Sequence, residues 1–517
     1  MFSATLYLNS YIRPVLLAMV CSIILAGGCQ TNPQTEAAKQ TAKGKQLSEK
    51  YCASCHLYPD PTLLDKTTWL KHVLPAMAPK LGIQVWGEDQ YYPSQSKRHP
   101  SIISYPEWMD LVAFYKAMAP EALQPVKAPE TPRDDWAVFE IIKPAGQDTG
   151  TIATTTMVAI DTFRGRIFSG DAGKRLLYEW DKNGKTSNSW SFPSAPVDLQ
   201  LTDSGKNAWV TCIGFMQAVD EPKGLLLNLH LEQPKATPKV QAAFLKRPVQ
   251  ALEADLNNDG LTDWVVCSFG HYKGGLYYMQ QTPDHKYEQH VIREVPGAIH
   301  AVTGDFNHDG WIDVMALFAY DDEGIWLFLN DHQGGFKASN LLRFPPVYGS
   351  TSFQLVDFNQ DGQPDILYTC GDNADYSKIL KPYHGVYVFI NQGDFKYKAA
   401  WHYPVNGCTK AMAADFNGDG KLDIAAIAFF ADLKDHPSEK FLYFQQDSML
   451  HFIPYAIPIQ KEGRWICMDV NDFDHDGDPD IVLGNYSLGF INQDNLEKDW
   501  NYAQPLLILE NKRNKGR

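Results

Sequence analysis

The chain has 517 residues, too many for one domain, so two domains behind a leader segment are expected. Apolar residues make up 44% of the chain and charged residues 21%, a balance typical of globular rather than disordered proteins. The formal net charge of −15 disfavours duplex nucleic acid as a partner, because the phosphate backbone would be repelled.

Residues 1–28 are predicted to be an export signal. Arg13 is the only charged side chain ahead of an apolar run that ends at Gly28, and this run is too short to span a membrane. The small residues before Cys29 resemble the signal of bacterial lipoproteins, which implies that Cys29 carries lipid; a plain signal peptide is the alternative. Residues 29–41 are then expected to be a flexible tether, and the mature protein to be lipid-anchored in the periplasm or at the cell surface.

The segment "YCASCH" places Cys52, Cys55 and His56 in the order C-x-x-C-H. Two thiols at this spacing can each add to a haem vinyl group, and the following imidazole can ligate the iron. A zinc site would need two further ligands at ordered spacing, and a thioredoxin-type dithiol would need a βαβ context. The sequence contains neither, so the motif predicts one covalently bound haem c.

Helices are predicted on both sides of this motif. "GKQLSEK" precedes it, and "YPEWMDLVAFYKAMAP" follows with Trp108, Leu111 and Tyr115 on one face. With these flanks, residues 42–125 resemble class I cytochrome c, a small all-α domain.

The cytochrome resemblance also implies a sixth iron ligand, usually methionine. Met77 lies between the two predicted helices and is the candidate for this position. Met109, Met118, His72 and an open sixth site remain alternatives, since each side chain has an equally plain role in core packing.

Five segments in the second half share the pattern D-x-[DN]-x-D-G-x-x-D. They begin at Asp255, Asp305, Asp357, Asp415 and Asp472, at intervals of 50 to 58 residues. Side-chain oxygens at positions 1, 3, 5 and 9 and the carbonyl at position 7 are a calcium-binding pattern, and glycine at position 6 permits a sharp turn. Up to five calcium ions are therefore predicted, and polar turns without metal are the alternative.

The predicted calcium ligands are the odd-numbered positions of the five loops. They are Asp255, Asn257, Asp259, Leu261 and Asp263; Asp305, Asn307, Asp309, Trp311 and Asp313; Asp357, Asn359, Asp361, Gln363 and Asp365; Asp415, Asn417, Asp419, Lys421 and Asp423; and Asp472, Asp474, Asp476, Asp478 and Asp480.

An EF-hand would require a helix after each loop, whereas apolar strands such as "WVVCS" and "VMALF" follow here. The loops instead resemble the FG-GAP (or VCBS) repeats of integrin-type propellers, which implies that each joins the first and second strands of a blade. Two upstream repeats show the same strand order without a metal loop. Residues 136–512 are therefore expected to form an all-β, seven-bladed propeller, and residues 136–144 to complete the last blade as a closing strand.

The connections between second and third strands are long and aromatic, as binding loops on rigid scaffolds often are. Their candidate binding residues are His271, Tyr272, Asp321, Asp375, Tyr383, His384, His436 and Tyr486. The sequence contains no ordered nucleophile–base set and no phosphate or dinucleotide motif.

The favoured function is a cell-envelope cytochrome that transfers electrons. In this interpretation the propeller docks a redox partner protein or a small ligand. The alternatives are a fused oxidoreductase, in which the propeller binds a substrate and the haem accepts its electrons, and a calcium-dependent adhesion or scaffold protein.

Overall fold

The computed structural model describes residues 33–87, 90–93, 101–134, 138–144, 150–374, 378–489, 493 and 496–513. The predicted export signal over residues 1–28 and the predicted lipidation residue Cys29 lie outside these ranges. Among the described residues, no helix is both long and apolar enough to cross a membrane.

A helical region forms the N-terminal part of the described chain. Its helices are α1 (Pro33–Tyr51), α2 (Lys66–Thr68), α3 (Leu74–Met77) and α4 (Tyr105–Met118). Short 3₁₀ turns lie at Cys52–Ser54, Pro61–Leu63 and Ala78–Leu81, and a π-helical turn lies at Trp69–Val73. A two-stranded ribbon precedes α4 and consists of β1 (Gln84–Val85) and β2 (Tyr91–Tyr92).

Helix α1 begins at Pro33, inside the segment expected to be a flexible tether over residues 29–41. The tether prediction is therefore wrong for residues 33–41, whereas residues 29–32 lie outside the described part of the chain. The reason is local propensity, because "TEAAKQTAKGKQLSEK" is rich in strong helix formers and proline suits the first position of a helix.

Helices α1 and α4 pack closely against each other. A Cβ at Gly44 would stand 2.2 Å from the Asp110 carbonyl oxygen, so only glycine permits this approach. Helix α4 begins with a capping box in which Ser104 accepts from the Glu107 amide and the Glu107 carboxylate accepts from the Ser104 amide. Trp108, Leu111 and Tyr115 on α4 form the core with Trp69, as the predicted apolar face requires.

Seven four-stranded antiparallel sheets follow as the blades of a propeller, confirming the predicted blade number. The closing strand is β3 (Phe139–Ile142). Blade 1 contains β4 (Thr155–Asp161), β5 (Arg166–Asp171), β6 (Leu176–Trp180) and β7 (Thr186–Ser191). Blade 2 contains β8 (Pro196–Thr202), β9 (Asn207–Cys212), β10 (Gly224–His230) and β11 (Lys239–Leu245). Blade 3 contains β12 (Pro248–Ala254), β13 (Asp263–Ser268), β14 (Gly275–Gln281) and β15 (Tyr287–Arg293).

The remaining blades repeat this order. Blade 4 contains β16 (Ala298–Gly304), β17 (Asp313–Phe318), β18 (Gly324–Asn330) and β19 (Phe336–Arg343). Blade 5 contains β20 (Ser350–Val356), β21 (Asp365–Cys370), β22 (Gly385–Asn391) and β23 (Tyr397–Pro404). Blade 6 contains β24 (Cys408–Ala414), β25 (Asp423–Ala428), β26 (Phe441–Ser448) and β27 (His451–Ala456). A 3₁₀ turn at Pro437–Lys440 lies between β25 and β26. Blade 7 contains β28 (Trp465–Asn471), β29 (Asp480–Asn485) and β30 (Leu506–Asn511).

The fourth strand of blade 7 comes from the other end of the propeller sequence. Strand β3 pairs antiparallel with β30, with Ile141 opposite Leu509. This is the place expected for residues 136–144, of which 136 and 137 lie outside the described ranges. The pairing covers the edge of β30 that would otherwise be left without a partner.

The second strands of blades 3 to 7 are buried along their whole length. Each lies inside a sheet whose two faces are covered by neighbouring blades, so a continuous apolar run is favoured over alternation. None of the seven described cysteines forms a disulfide, and Cys212, Cys267, Cys370 and Cys408 are buried as small apolar side chains.

The helical region packs on one end of the ring. The Tyr383 hydroxyl oxygen lies 3.2 Å from the carbonyl oxygens of both Leu63 and Val347, and Val347 and Ile379 pack against the core of the helical region. Lys80 Nζ lies 5.3 Å from the ring centre of Tyr272. These propeller residues belong to connections at the end opposite the five acidic loops, because successive strands of a blade run in opposite directions.

Candidate functional site

The two thiols and the imidazole of the C-x-x-C-H motif follow directly on α1. Cys52 begins a 3₁₀ turn and packs against the core of the helical region, whereas Cys55 is exposed. His56 Nδ1 lies 3.0 Å from the Leu57 carbonyl oxygen. The Nδ1–H tautomer donates this bond and leaves Nε2 as a free acceptor, the arrangement usual for a metal-ligating histidine.

Met77 ends α3 and packs, half-buried, against the same core as Cys52. Of the alternatives, Met109 is half-buried on α4, while Met118 and His72 are exposed. The geometry therefore groups Met77 and Met109 with the motif by a shared core. In that core the Trp108 indole nitrogen is buried and has no hydrogen-bond partner among the described residues.

The five acidic loops share one backbone shape. Glycine at position 6 has φ between 80° and 90° in every loop: Gly260, Gly310, Gly362, Gly420 and Gly477. Its amide donates to the position-1 carboxylate over 2.8–3.0 Å in all five. In the first four loops the position-5 amide also donates to the side-chain oxygens of positions 1 and 3, a compact turn of the kind that calcium loops use.

The position-9 aspartates have a second role. Asp263 accepts from the Leu256 amide with one oxygen and from the Gln281 amide with the other, over 3.1 and 2.8 Å. Asp313, Asp365 and Asp480 repeat this pair of backbone bonds, and in blade 6 the Tyr443 hydroxyl replaces one amide on Asp423. Each carboxylate thus ties its loop to the third strand of its own blade.

These position-9 carboxylates lie deep in the sheet. Burial raises the pKa of Asp480 to about 7 and that of Asp423 to about 6, and it also raises the pKa of Asp263, Asp313 and Asp365. The cause is loss of solvation of the charged form, which a bound cation would offset.

The last loop differs from the others because position 3 is a carboxylate. Asp472, Asp474 and Asp476 bring one oxygen each within 4.8 Å of one another. Asp472 Oδ1 is buried and has no hydrogen-bond partner among the described residues. In the first three loops the position-3 asparagine instead donates its amide to the position-5 aspartate. Repulsion among carboxylates is therefore strongest in the last loop, and a bound cation would relieve it.

Blade 1 contains a cation of its own at the corresponding place. Arg166 Nε donates to the fully buried Asp161 over 2.7 Å, and its Nη1 lies 3.4 Å from the Glu179 carboxylate. The guanidinium also donates to the Gly205 carbonyl in the turn of blade 2. Sequence reasoning identified this loop as metal-free but missed the arginine, whose only sequence signal is its place directly after "TFRG".

We define the connection face as the end of the ring formed by residues 172–175, 213–223, 269–274, 319–323, 371–374, 378–384, 429–440, 486–489, 493 and 496–505. Tyr272 and Tyr383, two predicted binding residues, contact the helical region there. The face is therefore partly covered by the chain itself.

The other predicted binding residues on this face do not form one site. His271 lies against Tyr272 and Tyr320, His384 is buried, and Asp321 occupies a tight turn with φ 62°. His436 Nδ1 lies 3.2 Å from the Asp432 carboxylate, and the Tyr486 ring packs beside Phe429. Asp375 lies outside the described residues.

A groove of about 650 Å³ opens on the connection face between blades 1 and 2. Phe215, Met216 and Phe244 line it together with Arg175 and Lys223. Phe244 is 81% exposed and has φ 63°, an unusual conformation for a bulky side chain. No local sequence pattern predicts this groove.

Comparison with known proteins supports the repeat assignment. Residues 255–316 and 305–368 match the FG-GAP-like repeat, so each match covers two successive acidic loops and reaches the second strand of the next blade. The chain thus contains FG-GAP-like repeats in a seven-bladed propeller. A search of curated proteins found no match.

Several solved structures are distantly similar to this chain. The structure of U3-55K is 8% identical, with a TM-score of 0.42, over 73% of this chain and 99% of that one. A protein from Lactobacillus plantarum is 12% identical, with a TM-score of 0.41, over 62% and 89%. The WD40 repeats of RRP9 are 10% identical, with a TM-score of 0.41, over 72% and 99%. At these values the similarities carry no inference about this chain.

Proposed function

We propose that the protein is a cell-envelope c-type cytochrome whose calcium-stabilised propeller docks a redox partner or ligand. The observation that carries this proposal is the C-x-x-C-H motif, in which the two thiols form no disulfide and His56 Nε2 is left free by the Nδ1 bond to Leu57. Cys52, Cys55 and His56 would hold the haem, which would supply one-electron redox chemistry when bound.

The residues present fit that group in three respects. Cys52 and Cys55 supply the two thiols, and His56 supplies an axial nitrogen whose tautomer is set by a backbone carbonyl. Met77 shares the core that Cys52 contacts and is the proposed sixth ligand. The buried Trp108 nitrogen supplies a donor that the carboxylates of a haem group would satisfy.

Calcium is the proposed second cofactor, with up to five ions in the acidic loops. The support is the shared loop shape and the convergence of Asp472, Asp474 and Asp476. Like-charged carboxylates at this separation repel one another unless a cation lies between them. The ions are proposed to hold each first-to-second strand loop in place and so to stiffen the ring.

The proposed location is the cell envelope, with lipid on Cys29 as the membrane anchor. Replacing Cys29 with alanine should move the protein from the membrane fraction to the soluble fraction. Retention of the variant in the membrane fraction would contradict the lipid anchor.

The test of the cytochrome proposal is a set of absorption spectra of the full chain, oxidised, reduced, and reduced under carbon monoxide. A low-spin c-type spectrum that carbon monoxide leaves unchanged is expected, and Met77→Ala should make the ferrous form bind carbon monoxide. Met109→Ala is the matched control and should leave the spectrum unchanged. If Met109→Ala has the effect and Met77→Ala does not, the sixth-ligand assignment is wrong.

A fused oxidoreductase is the second candidate, favoured by the groove between blades 1 and 2. Its apolar wall and its two cations suit an amphipathic anionic substrate. A substrate of this kind should reduce the haem directly in the purified protein, and Phe244→Ser should slow that reduction. If no small molecule reduces the haem without a partner protein, the oxidoreductase proposal is contradicted and the electron-carrier proposal is favoured.

A further inference from the structure

Two fully buried cations lie under the connection face where blades 6 and 7 meet. Arg464 directly precedes β28, Lys440 directly precedes β26, and each is only 1% exposed. Buried charged side chains are normally paired with an opposite charge, because their desolvation is costly. An anionic partner is therefore expected for each of these two cations.

Arg464 is held in place but not neutralised. Its Nε donates to the Phe429 carbonyl oxygen over 3.0 Å, and its guanidinium carbon lies 3.6 Å from the centre of the Phe429 ring. Both Nη atoms are buried and have no hydrogen-bond partner among the described residues. These two nitrogens form the fork with which arginine binds carboxylate or phosphate oxygens.

Within the described chain, the hydrogen-bond partner of Lys440 is a neutral group. Its Nζ donates to the Gln460 carbonyl oxygen and lies 5.0 Å from the centre of the Trp500 ring. Burial lowers the pKa of Lys440 to about 8; the charge of Asp499 opposes this lowering, and the charge of Arg464 adds to it. The two cations thus repel each other, and an anion between them would relieve both the repulsion and the desolvation.

The surrounding polar groups are satisfied elsewhere. The Glu439 carboxylate accepts from the Asn406 backbone and side chain, and Asp432 accepts from His436 and Gln493. Asn485, beside Arg464, bonds with Arg464 N, Ser487, Asn501 and Gln504. In the described part of the chain, no carboxylate forms an ion pair with Lys440 or Arg464, and the acidic neighbour of Lys440, Asp499, is exposed.

We propose that Arg464 and Lys440 form a binding site for a small oxyanion, a carboxylate or a phosphate, at the junction of blades 6 and 7. The guanidinium fork binds two oxygens of the anion and the ammonium binds a third or shares one. This anion site lies away from the acidic loops at the opposite end of the ring. The described contacts of the helical region fall on blades 3 to 5.

Isothermal titration of the full chain tests the proposal, with sodium phosphate and sodium acetate as probes at constant ionic strength. Either anion should bind with about one-to-one stoichiometry, and preference for one of them would identify the geometry of the ligand. Arg464→Gln should weaken binding about tenfold or more, because it removes the two-nitrogen fork. Lys440→Gln should also weaken it, and this variant carries the test if Arg464→Gln does not fold.

Arg247→Gln is the matched control. Arg247 directly precedes β12, the first strand of blade 3, and its guanidinium carbon lies 5.3 Å from the Phe269 ring, but its two Nη atoms donate to the carbonyls of Gly270 and Met216. This substitution should leave phosphate and acetate affinity unchanged. The proposal is overturned if the wild-type chain binds neither anion, or if both site variants bind as tightly as the wild type.

Discussion

The position-9 aspartates show how one residue can serve a metal loop and a sheet at once. Their place in the pattern was evident from spacing, and their expected role was calcium ligation. Their bonds to the third strand were not predictable, since Asp480 accepts from Asn511, 31 residues away along the chain. Local spacing identifies a loop, whereas long-range partners depend on strand register, which spacing alone does not fix.

Glu323 is a buried acid that no sequence pattern singles out. Its Oε1 accepts from the amide and hydroxyl of Ser350 over 2.7 and 2.5 Å, while Oε2 is buried and has no hydrogen-bond partner among the described residues. Burial raises the pKa of Glu323 from 4.5 to about 8. The folded state therefore holds its proton over this interval, in which the unfolded state has lost it.

We predict that Glu323 makes folding less stable as the pH rises from about 4.5 to about 8. The unfolded carboxyl ionises first, so the loss is up to about 1.4 kcal/mol per pH unit. Glu323→Gln should remove this part of the pH dependence in urea unfolding curves, and Glu294→Gln, at an exposed acid, should not. An unchanged pH profile in the Glu323 variant would show that its carboxyl titrates normally.

Arg166 is predicted to stabilise blade 1 independently of calcium. Arg166→Met leaves Asp161 buried without its cation and should cost about 3 kcal/mol of unfolding free energy. Arg164→Met, which breaks an exposed pair with Glu232, should cost about 0–1 kcal/mol. Urea denaturation with and without a chelator measures both losses. If Arg166→Met lowers the unfolding free energy only when calcium is present, Arg166 does not act as a calcium-independent internal cation.

At the level of elements, the strands were more predictable than the helices. Apolar second strands and regular turns gave the blade count, because both signals are local and repeat along the chain. Helix α1 extends further than expected, since residues 36–40 are exposed and the sequence there carries no apolar stripe on which to base a prediction. The groove and the connections of blades 6 and 7 combine distant segments and gave no local signal.

Each acidic loop should bind one calcium ion. Asp305→Asn removes one carboxylate at position 1 and should lower the calcium content by one ion per chain, measured by elemental analysis. The variant should lose about 2.7 kcal/mol of calcium-dependent stabilisation at a calcium concentration 100-fold above the dissociation constant. Asp203→Asn, in the metal-free turn of blade 2, is the control. Equal calcium content in both variants would contradict a metal site at Asp305.

At the level of the whole molecule, closure of the ring depends on β3. A chain that begins at residue 150 lacks this strand and leaves β30 as an open edge, so it should aggregate or melt well below a chain that begins at residue 126. Light scattering and thermal melting compare the two. A monomeric chain from residue 150 with an unchanged melting temperature would show that β3 is dispensable.

The helical region and the propeller were expected as two domains, and their contact was not foreseen. Leu63 and Tyr383 meet across 320 residues of sequence, a separation that local patterns do not report. The segment between the two parts also contacts blades 5 and 6: Tyr403 of blade 5 donates to the Glu130 carbonyl, and the Arg133 amide donates to the Pro454 carbonyl of blade 6. A haem held by this region would therefore have a fixed position relative to the connection face.

The intact mass of the full chain, expressed with a c-type haem maturation system, is the most direct test of the cytochrome proposal. We predict that the mass of the denatured chain exceeds the apo mass by one haem and that the denatured chain retains its haem absorption. Double replacement of Cys52 and Cys55 by serine should abolish this addition, while Cys467→Ser should not. A wild-type chain at its apo mass, without haem absorption, would contradict the proposed function and leave only the propeller.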